Sequence, residues 1–231
     1  MTITTLTLIE ARVLGTLMEK ARTVPDSYPL SLNSLTLGCN QKTSRDPLIQ
    51  ITESEARAAL DAMKTRSLVF ENNSGRTARY EHNFQRAVGV GEQAAVLLGL
   101  LMLRGPQTSG ELRINTERWY KFSDTATVDT CLNELLAQGE DHGNPMIARL
   151  PRASGARENR WIHLLCVPVE LRADAVTLEN AYKPADKPGT ASEELQALKD
   201  RVAALETALA SLCEQLGVEL PPFAANVPTE T

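Results

Sequence analysis

The chain repeats itself, and that limits its fold more than any other feature. Val13, Leu14, Gly15, Leu17 and Met18 recur 84 residues later as Leu97, Leu98, Gly99, Leu101 and Met102. Ala56, Leu60 and Met63 recur 72 residues later as Val128, Leu132 and Leu135. Ser74-Gly75 is answered by Ser154-Gly155, and Arg79-Tyr80-Glu81-His82 by Arg160-Trp161-Ile162-His163. Three matches in the same order predict two copies of one unit, each of roughly 80 residues. The drop of twelve in the offset predicts a shorter connection between the first and third helices of the second copy.

The first copy can be read element by element. Leu8 to Arg22 places Leu8, Ala11, Leu14, Leu17, Met18 and Ala21 at steps of three and four, with Thr7 and Glu10 spaced as a capping box. This predicts an amphipathic helix. A second apolar stretch, Leu30 to Cys39, follows Pro29, and Thr52 opens a third helix with Glu53 and Glu55 in its first turn. Leu68-Val69-Phe70, a turn at Asn73-Ser74-Gly75 and the alternating run Arg76 to His82 predict a β-hairpin. Three helices closed by a hairpin have the order of a winged helix, a helix-turn-helix with a β wing.

Beyond Cys166 a helix-compatible stretch runs to Tyr182, and Lys183-Pro184-Ala185-Asp186-Lys187-Pro188-Gly189 reads as a linker. Leu195, Leu198, Val202, Leu205, Leu209, Leu212 and Leu216 then alternate spacings of three and four, the seam of a coiled coil. The expected class is mainly α with small β-hairpins (α+β): two tandem winged-helix domains plus a C-terminal coiled-coil helix. Expected boundaries are 1–86 and 87–166 for the two domains, 167–190 for a helix and Pro-rich linker, 191–217 for the coil and 218–231 for a disordered tail. The seam makes a homodimer the expected assembly, and packing of this helix on its own chain is the alternative.

Composition narrows the function. No apolar run approaches the ~20 residues of a membrane span, and the first ten residues lack a signal peptide's pattern, so a cytoplasmic protein without membrane contact is expected. Cys39, Cys131, Cys166 and Cys213 form no Cys-x-x-Cys pair, so no disulfide framework and no metal site is expected. The net charge is −5, yet residues 1–86 carry +2, residues 87–166 carry −1 and the remainder −6. The two copies are near neutral, which leaves room for local basic surfaces.

Several segments resemble the YceH-like family of uncharacterised bacterial proteins. They are Glu10-Ala11-Arg12-Val13-Leu14-Gly15 with Leu17 and Glu19-Lys20, then Tyr28-Pro29-Leu30-Ser31, and Cys39-Asn40-Gln41-Lys42-Thr43-Ser44-Arg45-Asp46-Pro47. Leu103-Arg104-Gly105-Pro106-Gln107-Thr108 with Gly110-Glu111-Leu112-Arg113, and Arg149-Leu150-Pro151-Arg152 with Gly155, Arg157-Glu158, Arg160 and His163-Leu164, complete the match over residues 6–166. The resemblance implies a tandem winged-helix fold and carries no activity over.

No enzyme is expected: His82, His142 and His163 form no His-Glu-x-x-His, there is no Gly-x-Ser-x-Gly elbow, and Gly89-Val90-Gly91 lacks a third glycine. No cofactor is expected either. His82 and His163 hold equivalent places, which suggests that they close the wing sheet. Trp119-Tyr120-Lys121-Phe122 is either a stacking platform or a core filler. Asn40 to Arg45 is either a loop that grips phosphate through Lys42 and Arg45, or a loop that caps the third helix and pairs with Asp46.

Double-stranded DNA is the leading candidate partner, read by the third helix of the first copy and by both wings. Arg57 and Lys64 lie on that helix; Arg76 and Arg79, and Arg149, Arg152, Arg157 and Arg160, lie on the wings. The second copy's third helix offers Asp124, Asp129 and Glu134, which repel phosphate. The competing reading is a protein-interaction scaffold whose acidic face meets a basic protein partner without DNA.

Overall fold

The protein is described by a computed structural model over residues 5–73, 75–152 and 158–167. Five of the helix starts are set by a side chain that accepts from an otherwise orphaned backbone N–H. Helix α1 (Leu8–Thr23) opens at Thr7, whose hydroxyl accepts from the Glu10 N–H (3.1 Å) while the Glu10 carboxylate accepts from the Thr7 N–H (2.8 Å). The same reciprocal box starts α3 (Glu53–Thr65) at Thr52 and Glu55, and α6 (Ser109–Asn115) at Thr108 and Glu111. Ser31 caps α2 (Leu32–Cys39), and Asp124 caps α7 (Thr125–Asp141).

The first repeat runs α1, β1 (Leu30–Ser31), α2, α3, β2 (Val69–Asn72), β3 (Arg79–His82). Its sheet is antiparallel with β3 central, Leu30 facing Tyr80 on one side and Phe70 facing Glu81 on the other. The short helix α4 (Phe84–Val88) follows and ends at Gly89, whose φ of 79° is the left-handed cap that glycine adopts without strain. The second repeat runs α5 (Glu92–Arg104), α6, α7, β4 (Ile147–Arg149), β5 (Trp161–His163). In place of β1 it has one residue: Gln107 and Trp161 exchange both backbone hydrogen bonds (3.0 and 2.7 Å). The class is therefore α+β, with seven α-helices and small antiparallel sheets among the described residues.

The repeat holds at the level of caps. The third-helix caps Thr52 and Asp124 are 72 residues apart, and Ala56, Ala59, Leu60 and Met63 are buried like Val128, Cys131, Leu132 and Leu135. The second-helix caps Ser31 and Thr108 are 77 apart, so the shortening falls on both sides of the second helix. Strand β1 and helix α4 are additions to the expectation: two paired residues and a five-residue turn are too short to leave a periodic signal.

One expectation needs correction. Helix α1 is not amphipathic in its setting: every residue from Glu10 to Glu19 is buried. It packs on α2, α3 and β3 of its own repeat and on α5 of the other, where Met18 of the predicted apolar face meets Gly99, while Leu8 of that face is exposed. The two repeats consequently share one apolar core, from Leu6 to Leu165. Gly15 and Gly99, equivalent in the repeat, lie at the α1–α5 seam. A Cβ on Gly15 would lie 3.0 Å from the Leu103 side chain and 3.3 Å from the Gly99 carbonyl oxygen; one on Gly99 would lie 2.9 Å from the Trp119 ring. Only glycine allows so close an approach. The Leu6 N–H also donates to the Leu165 carbonyl (2.8 Å), joining the start of the first repeat to the end of the second.

Among the described residues no helix is long and apolar enough to cross a membrane. The coiled-coil seam from Leu195 to Leu216, the linker and the tail lie outside the described residues.

Candidate nucleic-acid interface

The exposed face of α3 carries Glu53, Ser54, Glu55, Arg57 and Asp61. Hydrogen bonds from Thr52, backbone first, hold the Glu55 carboxyl below its ordinary range, so it stays charged at the helix start. Arg57 is exposed. Lys64 is half-buried, and its ammonium bridges Asp61 (2.7 Å) and Glu71, hydrogen bonds that raise its pKa. The charge of Lys64 is thus spent within the fold, and its expected part in base reading gives way to bracing α3 against β2. Helix α7 contains no lysine or arginine; Asp129 accepts from the Ser109 hydroxyl, and Asn133 accepts from Arg149 (2.6 Å).

In the loop after α2, Arg45 departs from both of its expected readings. The Arg45 side chain is completely buried: its two terminal nitrogens grip both Glu19 oxygens (3.2 and 2.6 Å), and the guanidinium also donates to the Gly38 carbonyl, the Ser44 carbonyl and the Gln41 side-chain oxygen. Arg45 is therefore withdrawn from the phosphate-binding set, and its partner is Glu19, not Asp46. Glu19, buried by the packing around α1, needs a cation there. Burial would raise its pKa, but the Arg45 hydrogen bonds and charge outweigh that and lower it. Asn40 uses its amide as a short piece of strand, donating to the Ile51 carbonyl and accepting from the Ile51 N–H, both at 2.8 Å. Lys42 stays exposed on the outside of this loop.

The hairpins repeat a side-chain contact. Arg79 donates to the Pro29 carbonyl (2.7 Å), and its equivalent Arg160 donates to the Pro106 carbonyl (2.7 Å). Each arginine thus ties its last strand to the residue that precedes the second-helix segment. Arg160 also pairs with Glu111 (2.9 Å), which neutralises it. Arg149 is exposed and lies over the buried Trp161 ring, 4.6 Å from its centroid. Arg76 and Arg152 are exposed, while Arg157 lies outside the described residues.

The aromatic run fills core instead of offering a platform. Trp119 and Phe122 are buried, and the Tyr120 hydroxyl accepts from Gln93 (2.9 Å). His82 is half-buried beside Tyr28 in an edge-on contact (6.3 Å), and burial, followed by the charge of Arg22, pushes its pKa down to about 4. It is neutral at physiological pH. Burial likewise raises the Cys39 thiol to about 11, which removes it as a nucleophile. Among the described residues no group of three or more His, Cys, Asp or Glu is placed to hold a metal.

Sequence reasoning passed over several cations. Arg118 and Lys121 are exposed between α6 and α7, beside and within the aromatic run, and Arg113 is exposed in the last turn of α6. Arg104 stands at a helix end beside Gly105-Pro106, a local signal that it borders a turn.

These features define an α+β protein of two like halves on one shared core, with cations exposed on its hairpins and loops. The chain belongs to the family described as "Protein of unknown function, DUF480", whose profile matches residues 6–178. This agrees with the YceH-like resemblance of its motifs. It is 55% identical over 213 residues to a "UPF0502 protein" of Acidovorax sp. (strain JS42), covering 92% of this chain and 95% of the relative. A "UPF0502 protein" of Polaromonas sp. (strain JS666 / ATCC BAA-500) is 57% identical over 224 residues, 96% of this chain and 95% of its own. One from Cupriavidus taiwanensis is 47% identical over 225 residues, 94% and 90% of the two chains.

Proposed function

We propose that this is a non-catalytic, tandem winged-helix protein that binds duplex DNA as a regulator or architectural factor. The observation that carries the reading is the order α1, β1, α2, α3, β2, β3 with β3 central, closed by a hairpin whose Arg76 and Arg79 are exposed. That order presents a third helix to a groove and a wing to the adjoining backbone.

The contacts proposed are Lys42, Arg57, Arg76, Arg79, Arg149 and Arg152, which are exposed and form no ion pair among the described residues, with Arg157 lying outside them. Most of these sit on hairpins and a loop, where they meet phosphate and not bases. Binding is therefore dominated by backbone contact, with Arg57 the one cation on a third helix free to reach a base edge. Two acidic residues in the first turn of α3 weaken any close approach of that end.

The test is duplex binding by the full chain at several salt concentrations. Two to four phosphate contacts per chain give a log-log slope of about −2 to −4, doubled in a homodimer. Absence of binding to genomic fragments at low salt removes the reading and leaves the interaction-scaffold alternative.

A further inference from the structure

We propose that the cleft where the two repeats meet binds a small oxyanion, a phosphate or carboxylate group, with Arg104 as the receiving cation; this goes beyond duplex binding and does not depend on it. The cleft has a volume of about 340 Å3 and is lined from the first repeat by Ser44, Arg45 and Asp46, and from the second by Arg104, Gln107 and Asn115 among others. That is the small end of the range for ligand sites, roughly 300–1,000 Å3, and suits a single anionic group or a small molecule carrying one. The two halves are fixed beside it by backbone: the Asp46 N–H donates to the Leu103 carbonyl (2.8 Å).

Three guanidinium groups border this cleft, and two are already answered. Arg45 is held by Glu19, and Arg160 by Glu111. Arg104 forms no ion pair among the described residues, Asp46 on the rim included. Its two terminal nitrogens donate to neutral acceptors, the Asn115 side-chain oxygen (2.7 Å) and the Ser44 hydroxyl (2.7 Å), and its Nε–H is buried without an acceptor. A half-buried cation with only neutral partners is under-compensated. Burial lowers its pKa most, Glu19 opposes that, and the charge of Arg45 lowers it further. An oxyanion in the cleft supplies the missing charge. The Ser44 hydroxyl, which accepts from Arg104, keeps its own O–H to donate to the same ligand.

The position gives such a ligand a consequence: Ser44 belongs to the first repeat and Arg104 to the second, so one bound group touches both halves at their junction.

The experiment titrates the full chain with inorganic phosphate, followed by calorimetry and 31P line width, against sodium chloride of equal ionic strength. Saturable phosphate binding that chloride does not mimic is expected. Arg104→Gln should weaken it at least about tenfold, the loss expected for charge-assisted hydrogen bonds. Ser44→Asp provides a check should that variant fold poorly. Ser44 has a φ of 60°, a conformation that aspartate tolerates, and its carboxylate would occupy the Arg104 guanidinium from within. This variant should melt no lower than the parent in chloride and lose phosphate binding. Arg86→Gln, at an exposed position of α4, should bind phosphate as the parent does. Competition with duplex separates the two sources of the group: duplex that expels phosphate makes the ligand a backbone phosphate, while phosphate retained beside duplex makes it a free oxyanion. A protein that binds no duplex fails the functional reading alone, since the phosphate titration still decides the cleft. No phosphate effect beyond chloride, or parental binding in both Arg104→Gln and Ser44→Asp, overturns the proposal.

Discussion

Arg45→Ala separates the two roles open to this residue, because burial and surface contact predict opposite phenotypes. The Arg45 side chain has no solvent exposure, and that of Glu19 retains 11%. Removing the arginine leaves the Glu19 carboxylate with Lys20 (3.2 Å) as its remaining ion-pair partner among the described residues and strips the Gly38 carbonyl of two donors. Breaking a buried pair from one side costs about 3–5 kcal/mol. Lys20, already in contact, places the expected loss near the lower bound. For a unit of this size a loss of that order lowers the melting midpoint by roughly 6–20 °C. Urea unfolding followed by circular dichroism, with Arg45→Ala, Glu19→Gln and the double variant as a cycle, measures it. The double variant should recover part of the loss, with a coupling of about 1–3 kcal/mol. The pair also has a pH signature. The Glu19 pKa is lowered in the fold, so its stabilisation is present above the unfolded value of 4.5 and lost as pH falls through the folded value. Arg45→Ala should flatten that acid limb. An Arg45→Ala protein within about 1 kcal/mol of the parent, yet deficient in duplex binding, would refute the reasoning.

Gly99→Ala should destabilise by about 1–3 kcal/mol in urea melts, since its methyl group meets the Trp119 ring and the Met18 side chain across the seam. His82 has a folded pKa of about 4 against 6.5, so stability present above pH 6.5 falls by as much as roughly 3 kcal/mol as pH drops through 4. His82→Phe should remove that slope from pH-dependent melts. Native thiol labelling should be slow at Cys39 and Cys131, whose pKa values burial raises to about 11, and faster at half-exposed Cys166. Replacing Arg76 with alanine should weaken duplex binding to all sequences alike and reduce the salt slope by about one, whereas Arg57→Ala should change sequence preference.

Local signals made the element list legible. Thr7 with Glu10, Thr52 with Glu55 and the apolar steps behind them locate α1 and α3 within a residue or so of their observed starts, because a cap is a contact between near neighbours in the chain. The two-copy architecture was legible because the second repeat buries the same positions as the first, Val128 and Leu132 as Ala56 and Leu60. The candidate interface was only half legible. A count of cations cannot tell Arg76, which is exposed, from Lys64, which two carboxylates hold, or from Arg45, which is buried.

The sequence by itself therefore determined the helices, the hairpins, their order and their duplication, all of which rest on interactions within a few residues or on periodicity. Tertiary structure alone decided that α1 is buried on nearly every side, that Gly15 and Gly99 serve one seam, that Arg45 answers Glu19 from 26 residues away, and that Arg104 pairs with no carboxylate among the described residues. The physical reason is that burial depends on what packs against a face, and the packing partner of α1 is a helix from the other repeat. Once that helix covers α1, the cost of burying a charge dictates which arginines turn inward and which stay at the surface.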